Sequence, residues 1–226
     1  MEVHDLRTAL AHYEAALALD STNFEANWRA AIVLLDEGEQ IPDRARSPAR
    51  DSLYVRAERL ARRAVATDSM QAEGHFALAA AVGRASLTMG KKERIRRARI
   101  IRDEALRTLE LDPRHDGAYH ILGRWNAEIM RLSGLSRFFA KNLLGAGVFS
   151  QASWEEAVSN MEHAVALDPG RLYHRLELAE IYADRRRYDD ARAELVQLEA
   201  LPDREIMDSV YRRQAKALAE RIANKK

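Results

Sequence analysis

The sequence is poor in residues that crosslink chains or interrupt helices: among 226 residues there are 0 cysteines, 5 prolines and 10 glycines. Without cysteine the chain can have no disulfide, no thiolate nucleophile and no cysteine-based zinc or iron–sulfur site. The net charge is only +1, so nothing draws the whole chain to nucleic acid or to a membrane. An electrostatic partner therefore needs a local charged patch.

Long apolar runs are also missing. No stretch of about 18 apolar residues occurs, and the first ten residues, MEVHDLRTAL, lack the apolar core of a secretory signal. We therefore expect a soluble chain, with the cytoplasm favoured over the periplasm as its compartment.

Helix-forming residues are abundant instead. Hydrophobic residues make up 47% of the chain and charged residues 31%, and Ala, Leu, Arg and Glu recur throughout. This composition is typical of packed helices and provides enough apolar surface for a full core. The sequence predicts an all-α fold.

Four segments end a helix with a similar corner, at 16–20, 64–68, 109–113 and 164–169, and each is followed by a second amphipathic run. Such self-similarity is the signature of stacked helical hairpins. Small residues recur where the paired backbones must approach: Ala31, Ala79, Gly123 and Ala179 in the first helices, and Ala9, Ala57, Ala157 and Ala191 in the second. The corner aspartate is expected to cap the next helix.

The corners and small residues resemble the tetratricopeptide repeat, most clearly in Leu178-Ala179-x-x-Tyr182 followed by Tyr188-Asp-Asp-Ala191. The resemblance implies a right-handed superhelix of four to five hairpins with long insertions and a C-terminal cap helix. We expect residues 1–226 to form one domain. Its parts are an orphan helix of a first repeat at 1–20, repeats at 23–68, 71–112, 116–168 and 171–202, and a cap at 203–226 with Val210, Ala217 and Leu218 facing the core.

Three stretches lengthen the array beyond the usual repeat, at 39–51, 87–97 and 130–153, and each is either a loop or an elongated hairpin. The chain also begins in the middle of a repeat, because residues 9–19 fit a second helix with no first helix before it. Either native sequence is missing upstream, with a signal or anchor in it, or the first helix caps the array.

A closer resemblance lies between residues 118 and 200. Leu122-Gly-Arg-Trp125, Leu135-Ser, Phe139-Ala-Lys, Leu144-Gly and Trp154-Glu-Glu-Ala157 lead to the corner Asp168-Pro-Gly170. This stretch is similar to the tetratricopeptide domain of the regulator of microtubule dynamics family. The resemblance implies a non-enzymatic domain linked to microtubules or, in one membrane-tethered branch, to phospholipid binding and transfer. Richness in Ala and Arg hints at a prokaryotic source without conventional microtubules, which favours the lipid.

The first helices of such an array line its concave face, so side chains one turn apart on them form the expected ligand groove. The predicted groove residues are Trp28, Ile32, Leu35, Phe76, Ala80, Arg84, His120, Arg124 and Tyr173. The first half is apolar, and such a patch is normally covered. The candidates are an acyl chain, a hydrophobic partner helix or tail, or the chain's own insert with Leu135, Phe138, Phe139, Leu143, Leu144, Val148 and Phe149. With an acyl chain bound, Arg84 and Arg124 would hold the phosphate of a phospholipid.

The run from Gly90 to Arg102 predicts a basic amphipathic helix with Ile95, Ala98 and Ile101 as its apolar stripe. The predicted basic surface consists of Lys91, Lys92, Arg94, Arg96, Arg97 and Arg99. It suits peripheral contact with an anionic membrane or acidic protein tails; the alternative, which we prefer, is a solvated face. Nucleic acid is disfavoured because the run lacks interleaved aromatic residues.

Catalytic chemistry finds little support in the sequence. The seven histidines include no His-x-x-x-His pair, and Gly145-Ala-Gly147 lacks the strand and the following Lys-Ser/Thr of a phosphate loop. His75, His120 and His174 recur at similar positions in their repeats, which repeat descent explains. We expect no enzyme activity, no metal and no cofactor.

Overall fold

The computed structural model describes residues 5–41, 47–86, 89–132 and 151–225. These ranges contain ten α-helices and no strand, which confirms the predicted all-α fold. The helices are α1 (Leu6–Leu19), α2 (Phe24–Glu39), α3 (Pro48–Thr67), α4 (Ala72–Ser86), α5 (Lys91–Leu111), α6 (Asp116–Arg131), α7 (Trp154–Leu167), α8 (Leu172–Asp184), α9 (Tyr188–Ala200) and α10 (Asp208–Ile222).

The chain divides into two compact units, Met1–Pro113 and Arg114–Lys226. Unit 1 contains α1 to α5, and unit 2 contains α6 to α10. The assignment of residues 1–226 to one domain, and the repeat boundaries within it, stay predictions.

Several helices begin where a short polar side chain can accept a hydrogen bond from the first turn. Asn23 accepts one from Ala26 N at 2.8 Å, and Ser153 accepts one from Glu156 N at 3.0 Å. Ser47 does the same for α3, whose first residue, Pro48, lacks an N–H that the helix would leave unpaired. Local sequence therefore sets these helix starts.

The corner aspartates act differently from the prediction that they cap the next helix. Asp20, Asp68 and Asp168 each end a helix, and the carboxylate accepts a hydrogen bond from the backbone N–H two residues later, at 2.9, 2.9 and 3.2 Å. A short acidic side chain forms this turn readily. The aspartate thus folds the corner, and α2 is capped by Asn23 instead.

In unit 1, α2 pairs with α3 and α4 pairs with α5, while α3 also packs on α4 and α1 packs on α2. The predicted small residues Ala31, Ala57 and Ala79 are completely buried. Leu34 and Val82, also fully buried, fill the remaining core volume. Small side chains at these points let the backbones approach, as hairpin packing requires.

In unit 2, α6 pairs with α7 and α8 pairs with α9, and α10 covers α8 and α9. Gly123 lies at the α6–α7 crossing, where an added Cβ would come within 3.1 Å of the Ala157 carbonyl oxygen. Ala157 and Met161 on α7 are completely buried there. A methyl group at this position would therefore press on the backbone of α7.

The C-terminal helix buries a different face from the predicted one. Leu218 is buried as expected, but Val210 is only partly buried and Ala217 is exposed. The buried face includes Tyr211, Ala215, Leu218 and Ile222, which follow one another at steps of about one helical turn. On this face Tyr211 stacks on Tyr173 of α8, which Val210 and Ala217, on another side of α10, cannot do.

The extra stretch at 87–97 mostly elongates a helix, because α5 begins at Lys91 and runs for 21 residues. The side chain of Lys91, and the predicted insert residues between 133 and 150, lie outside the described residues. Among the helices that are described, none combines the length and the apolar character needed to cross a membrane.

Candidate functional site

A strip of apolar side chains lies at the surface of unit 1. Trp28 and Ile32 on α2 and Phe76 and Ala80 on α4 are each partly buried, and the two helices pack directly against each other. The guanidinium of Arg29 lies 4.5 Å from the centre of the Trp28 ring. We call these four residues the α2–α4 face.

Two other predicted groove residues of unit 1 are engaged within the unit. Leu35 is only 5% exposed and belongs to the core with Leu34 and Tyr54, because its side of α2 faces α3. Arg84, at the end of α4, forms an ion pair with Glu39, and both side chains are largely buried. Arg84 thus already has an anionic partner.

In unit 2, His120 and His174 meet beneath the surface. Their Nδ1 atoms lie 2.9 Å apart, and Nε2 of His174 lies 2.7 Å from an Asp116 carboxylate oxygen. Since Asp116 can only accept, His174 donates from Nε2 and His120 donates from Nδ1 to His174. Both histidines are buried, so His120 is part of this internal chain and does not line an open groove.

The electrostatics of this hydrogen-bonded series favour an ionised Asp116 and a neutral His174. Burial alone would raise the pKa of Asp116, but His174 and Arg171, 2.9 Å away, hold it well below its usual range. Burial lowers the pKa of His174, and the hydrogen bond to Asp116 opposes that shift only in part.

Arg124 and Tyr173 lie close together and are partly exposed. The Arg124 guanidinium donates a hydrogen bond to the Tyr173 hydroxyl and lies 3.4 Å from Oε1 of Glu177. Tyr173 packs against His120 at 4.2 Å and stacks on Tyr211 of α10 at 4.5 Å between ring centres. The predicted first-helix face of unit 2 is therefore a polar network, and its arginine is paired.

Two carboxylates one turn apart on α8 complete this network. Glu177 is 6% exposed, and its second oxygen, Oε2, accepts no hydrogen bond from the described residues. Burial and the neighbouring Glu177 raise the pKa of Glu180 to about 7, although Arg131, Arg124 and Arg221 act in the opposite direction.

Only some of the residues predicted to form a basic surface on α5 are exposed. Lys92, Arg94, Arg96 and Arg99 are exposed, and Arg96 pairs with Glu93 at 3.1 Å. Arg97 is not on this surface: it is 8% exposed and donates to both carboxylate oxygens of Glu58, at 2.5 and 2.6 Å. Its position on α5 turns it towards α3, the helix that carries Glu58.

The sequence analysis did not identify the carboxylates that pair with the predicted arginines. Glu58 is 39 residues from Arg97, and no local pattern links them. Glu177 could have been found as the residue one turn after the predicted groove residue Tyr173. Among the described residues no three His, Cys, Asp or Glu side chains are placed to hold a metal ion.

Solved structures with a similar fold include a tetratricopeptide protein from a thermophilic bacterium. The protein TTC0263 of Thermus thermophilus matches with a TM-score of 0.63 and 20% identity, over 94% of this chain and 90% of that one. Human IFIT1, solved as a dimer with PPP-AAAA, matches with a TM-score of 0.53 and 14% identity, over 97% of this chain and 50% of that one. At these identities the similarity shows the fold alone.

A separate comparison with curated proteins finds no match to this chain. The sequence model of the family described as "Regulator of microtubule dynamics protein 1-3", by contrast, matches residues 2–223. The match spans both units and so extends beyond residues 118–200, where the sequence motifs of the family were recognised. The chain therefore belongs to the regulator of microtubule dynamics protein 1-3 family.

Proposed function

We propose that this chain is a non-enzymatic tetratricopeptide scaffold that holds an apolar segment of a partner protein, a helix or a tail, on the α2–α4 face. The observation that carries the proposal is that Trp28, Ile32, Phe76 and Ala80, on two first helices that pack against each other, are each only partly buried. Apolar strips of this kind mark interaction sites on soluble proteins. Each large apolar side chain that a partner buries there contributes about 1.5–3 kcal/mol.

A phospholipid is the second candidate, because an acyl chain would fit the same apolar strip. Its phosphate, however, would have to compete for arginines that are already paired, Arg84 with Glu39 and Arg124 with Glu177. Displacing a paired carboxylate from a partly buried site leaves that charge without its partner, at a cost of several kcal/mol. The paired arginines favour a protein segment over a phospholipid.

The test compares protein capture and lipid capture by variants of the full chain. Ile32→Glu and Phe76→Glu place a charge in the α2–α4 face and should abolish capture of a partner from a lysate of the source cells. Val196→Glu is the matched control, because Val196 on α9 is 67% exposed and lies outside the α2–α4 face. Capture by the control should equal that of the wild type.

Native mass spectrometry of the purified chain and uptake of labelled phospholipid from liposomes test the second candidate. A protein partner whose capture is unaffected by both face variants would exclude this face as its site. Stoichiometric phospholipid that is lost in the same variants would replace the proposal with the lipid function. Thermal melting monitored by circular dichroism verifies that each variant is folded. If a glutamate variant is unfolded, Ile32→Ala or Phe76→Ala replaces it.

A further inference from the structure

Unit 1 has a cleft that the α2–α4 face does not include. It lies between α1 and α3, which both pack on α2, and has a volume of about 360 Å³. Leu17 and Ala18 of α1 and Leu60 of α3 provide its apolar surface. Leu60 is only 5% exposed, so it forms a recessed floor.

The rim of this cleft is cationic. Arg56 is paired with Glu14 across the cleft, whereas Arg59 and Arg63 make no ion pair with any carboxylate of the described residues. Arg59 and Arg63 lie one turn apart on α3, where like charges repel each other. The three arginines and one glutamate leave a net charge of +2 around an apolar floor.

We propose that this cleft binds an acidic amphipathic helix of a partner protein. One large apolar side chain of that helix enters over Leu60, and carboxylates one turn away pair with Arg59 and Arg63. Anchoring through a few apolar side chains spaced by helical turns is how grooves between helices recognise partner helices. The carboxylates also relieve the repulsion between the two arginines, which gives the site its preference for acidic partners.

Other anionic partners fit the cleft less well. Nucleic acid is bound through aromatic side chains on which bases stack, and none of the residues lining the cleft is aromatic. A bilayer presents a broad surface that would contact the rim but would not reach the recessed Leu60. A single projecting side chain of a helix does reach it.

The test uses the full chain and a fluorescein-labelled helical peptide with leucine on one face and glutamate on the others. The peptide is about 15 residues long, near the length at which isolated helices become stable in water. Fluorescence polarisation should show binding that Arg59→Glu with Arg63→Glu weakens by about tenfold or more. A matching leucine–lysine peptide should bind this double variant better than it binds the wild type.

Two further variants separate the cleft from general charge. Lys92→Glu with Arg94→Glu makes the same change in net charge on the exposed side of α5 and should leave binding unchanged. Ala18→Phe fills the cleft without changing its charge and should weaken binding as much as the arginine double variant does. Arg59→Gln with Arg63→Gln is used if circular dichroism shows that the glutamate variant is unfolded.

The proposal is overturned if the glutamate peptide does not bind, or if the α5 variant weakens binding as much as the cleft variant. It is also overturned if vesicles of phosphatidylcholine and phosphatidylglycerol, but not the peptide, bind in a manner that depends on Arg59 and Arg63. The result that supports it is peptide binding that both cleft variants, and not the α5 variant, reduce.

Discussion

The two units share one repeat pattern but carry different chemistry on their first helices. In unit 1, α2 and α4 carry partly buried apolar side chains, and Arg84 forms a largely buried ion pair with Glu39. In unit 2, α6 and α8 carry a polar network in which His120, His174 and Glu177 are buried. Small residues stand at equivalent positions of the paired helices in both units, so the repeat determines the packing and leaves the surface free to vary.

From this difference we propose separate roles for the two halves. The α2–α4 face is suited to covering an apolar partner, whereas the network of unit 2 satisfies most of its polar groups internally and contributes to stability. Unit 1 also has buried charge, but it places the Arg97–Glu58 pair between α5 and α3, away from its apolar face. Substitutions in the two units should therefore differ in both size and pH dependence.

The largest effect is expected for Arg97→Ala in unit 1. It removes the guanidinium that donates to both oxygens of Glu58 and leaves that buried carboxylate with only the more exposed Arg62, which should cost about 3 kcal/mol of unfolding free energy. Hydrogen exchange of α3 to α5 measures this loss. The matched control, Arg94→Ala, is exposed on the same helix and should change stability by less than about 0.5 kcal/mol. Equal effects of the two would show that Arg97 is not buried.

The second effect is expected in unit 2 for Asp116→Asn. The substitution removes the charge that accepts from His174 and Arg171 and should cost about 2 kcal/mol, measured by hydrogen exchange of α6 and α8 near pH 7. Unit 1 is the internal control and should keep its protection. Unchanged protection of α6 and α8 would contradict the proposed role of this carboxylate.

Acidification should also destabilise unit 2, because protons bind to both partners of the hydrogen bond between His174 and Asp116. The pKa of His174 is below its ordinary value of 6.5, so the unfolded chain binds more protons and stability is lost as the pH falls below about 6.5. The pKa of Asp116 is also depressed, and its contribution, present above 3.8, is lost at still lower pH. Asp116→Asn should abolish this second loss and leave its own stability flatter below about pH 4.

Smaller changes in stability, of opposite sign, are expected when the helix glycines Gly83 and Gly123 are replaced by alanine. A Cβ at Gly83 of α4 would meet only the end of Ile101 at 3.9 Å, so Gly83→Ala should stabilise unit 1 by about 0.5–1 kcal/mol. A Cβ at Gly123 would come within 3.1 Å of the α7 backbone, so Gly123→Ala should destabilise unit 2 by about 1 kcal/mol. Denaturant unfolding of both variants gives the comparison, and two changes of the same sign would contradict it.

The smallest effect is expected for Glu180→Gln. Because the pKa of Glu180 is raised to about 7, the folded chain holds its proton more tightly, and stability from this group falls as the pH rises from 4.5 to 7. The side chain is 34% exposed, so the contribution stays below about 1 kcal/mol. His174 acts in the opposite direction over part of this range, so the measurement is the difference between variant and wild-type unfolding curves at each pH. A difference independent of pH would contradict the raised pKa.

Short-range features of the fold could be predicted from the sequence. The corners at Asp20, Asp68 and Asp168 and the small residue at Gly123 follow from rules that act within one hairpin. At the corners the structure differs from the prediction in what the aspartate does, because a carboxylate can fold its own turn as easily as it caps the next helix.

Long-range pairing could not be predicted. Arg84 and Arg97 resemble surface residues in the sequence, and their partners Glu39 and Glu58 are identified only once helices far apart in the chain are packed together. The rotation of a helix about its axis could not be predicted either: it buries Leu35 and His120, whose neighbours on the same predicted face are only partly buried. Arg59 and Arg63, by contrast, could have been noticed as like charges one turn apart.

Site-specific photocrosslinking tests the comparison between the two units most directly. A benzophenone amino acid replaces Ile32 on the α2–α4 face in one full-chain variant and Glu180 on the unit 2 network in another, and crosslinked products from the source cells are identified by mass spectrometry. We expect a protein partner to be crosslinked at position 32 and not at position 180. Crosslinking at position 180 alone, or of phospholipid alone at position 32, would contradict the proposal that unit 1 holds an apolar protein segment.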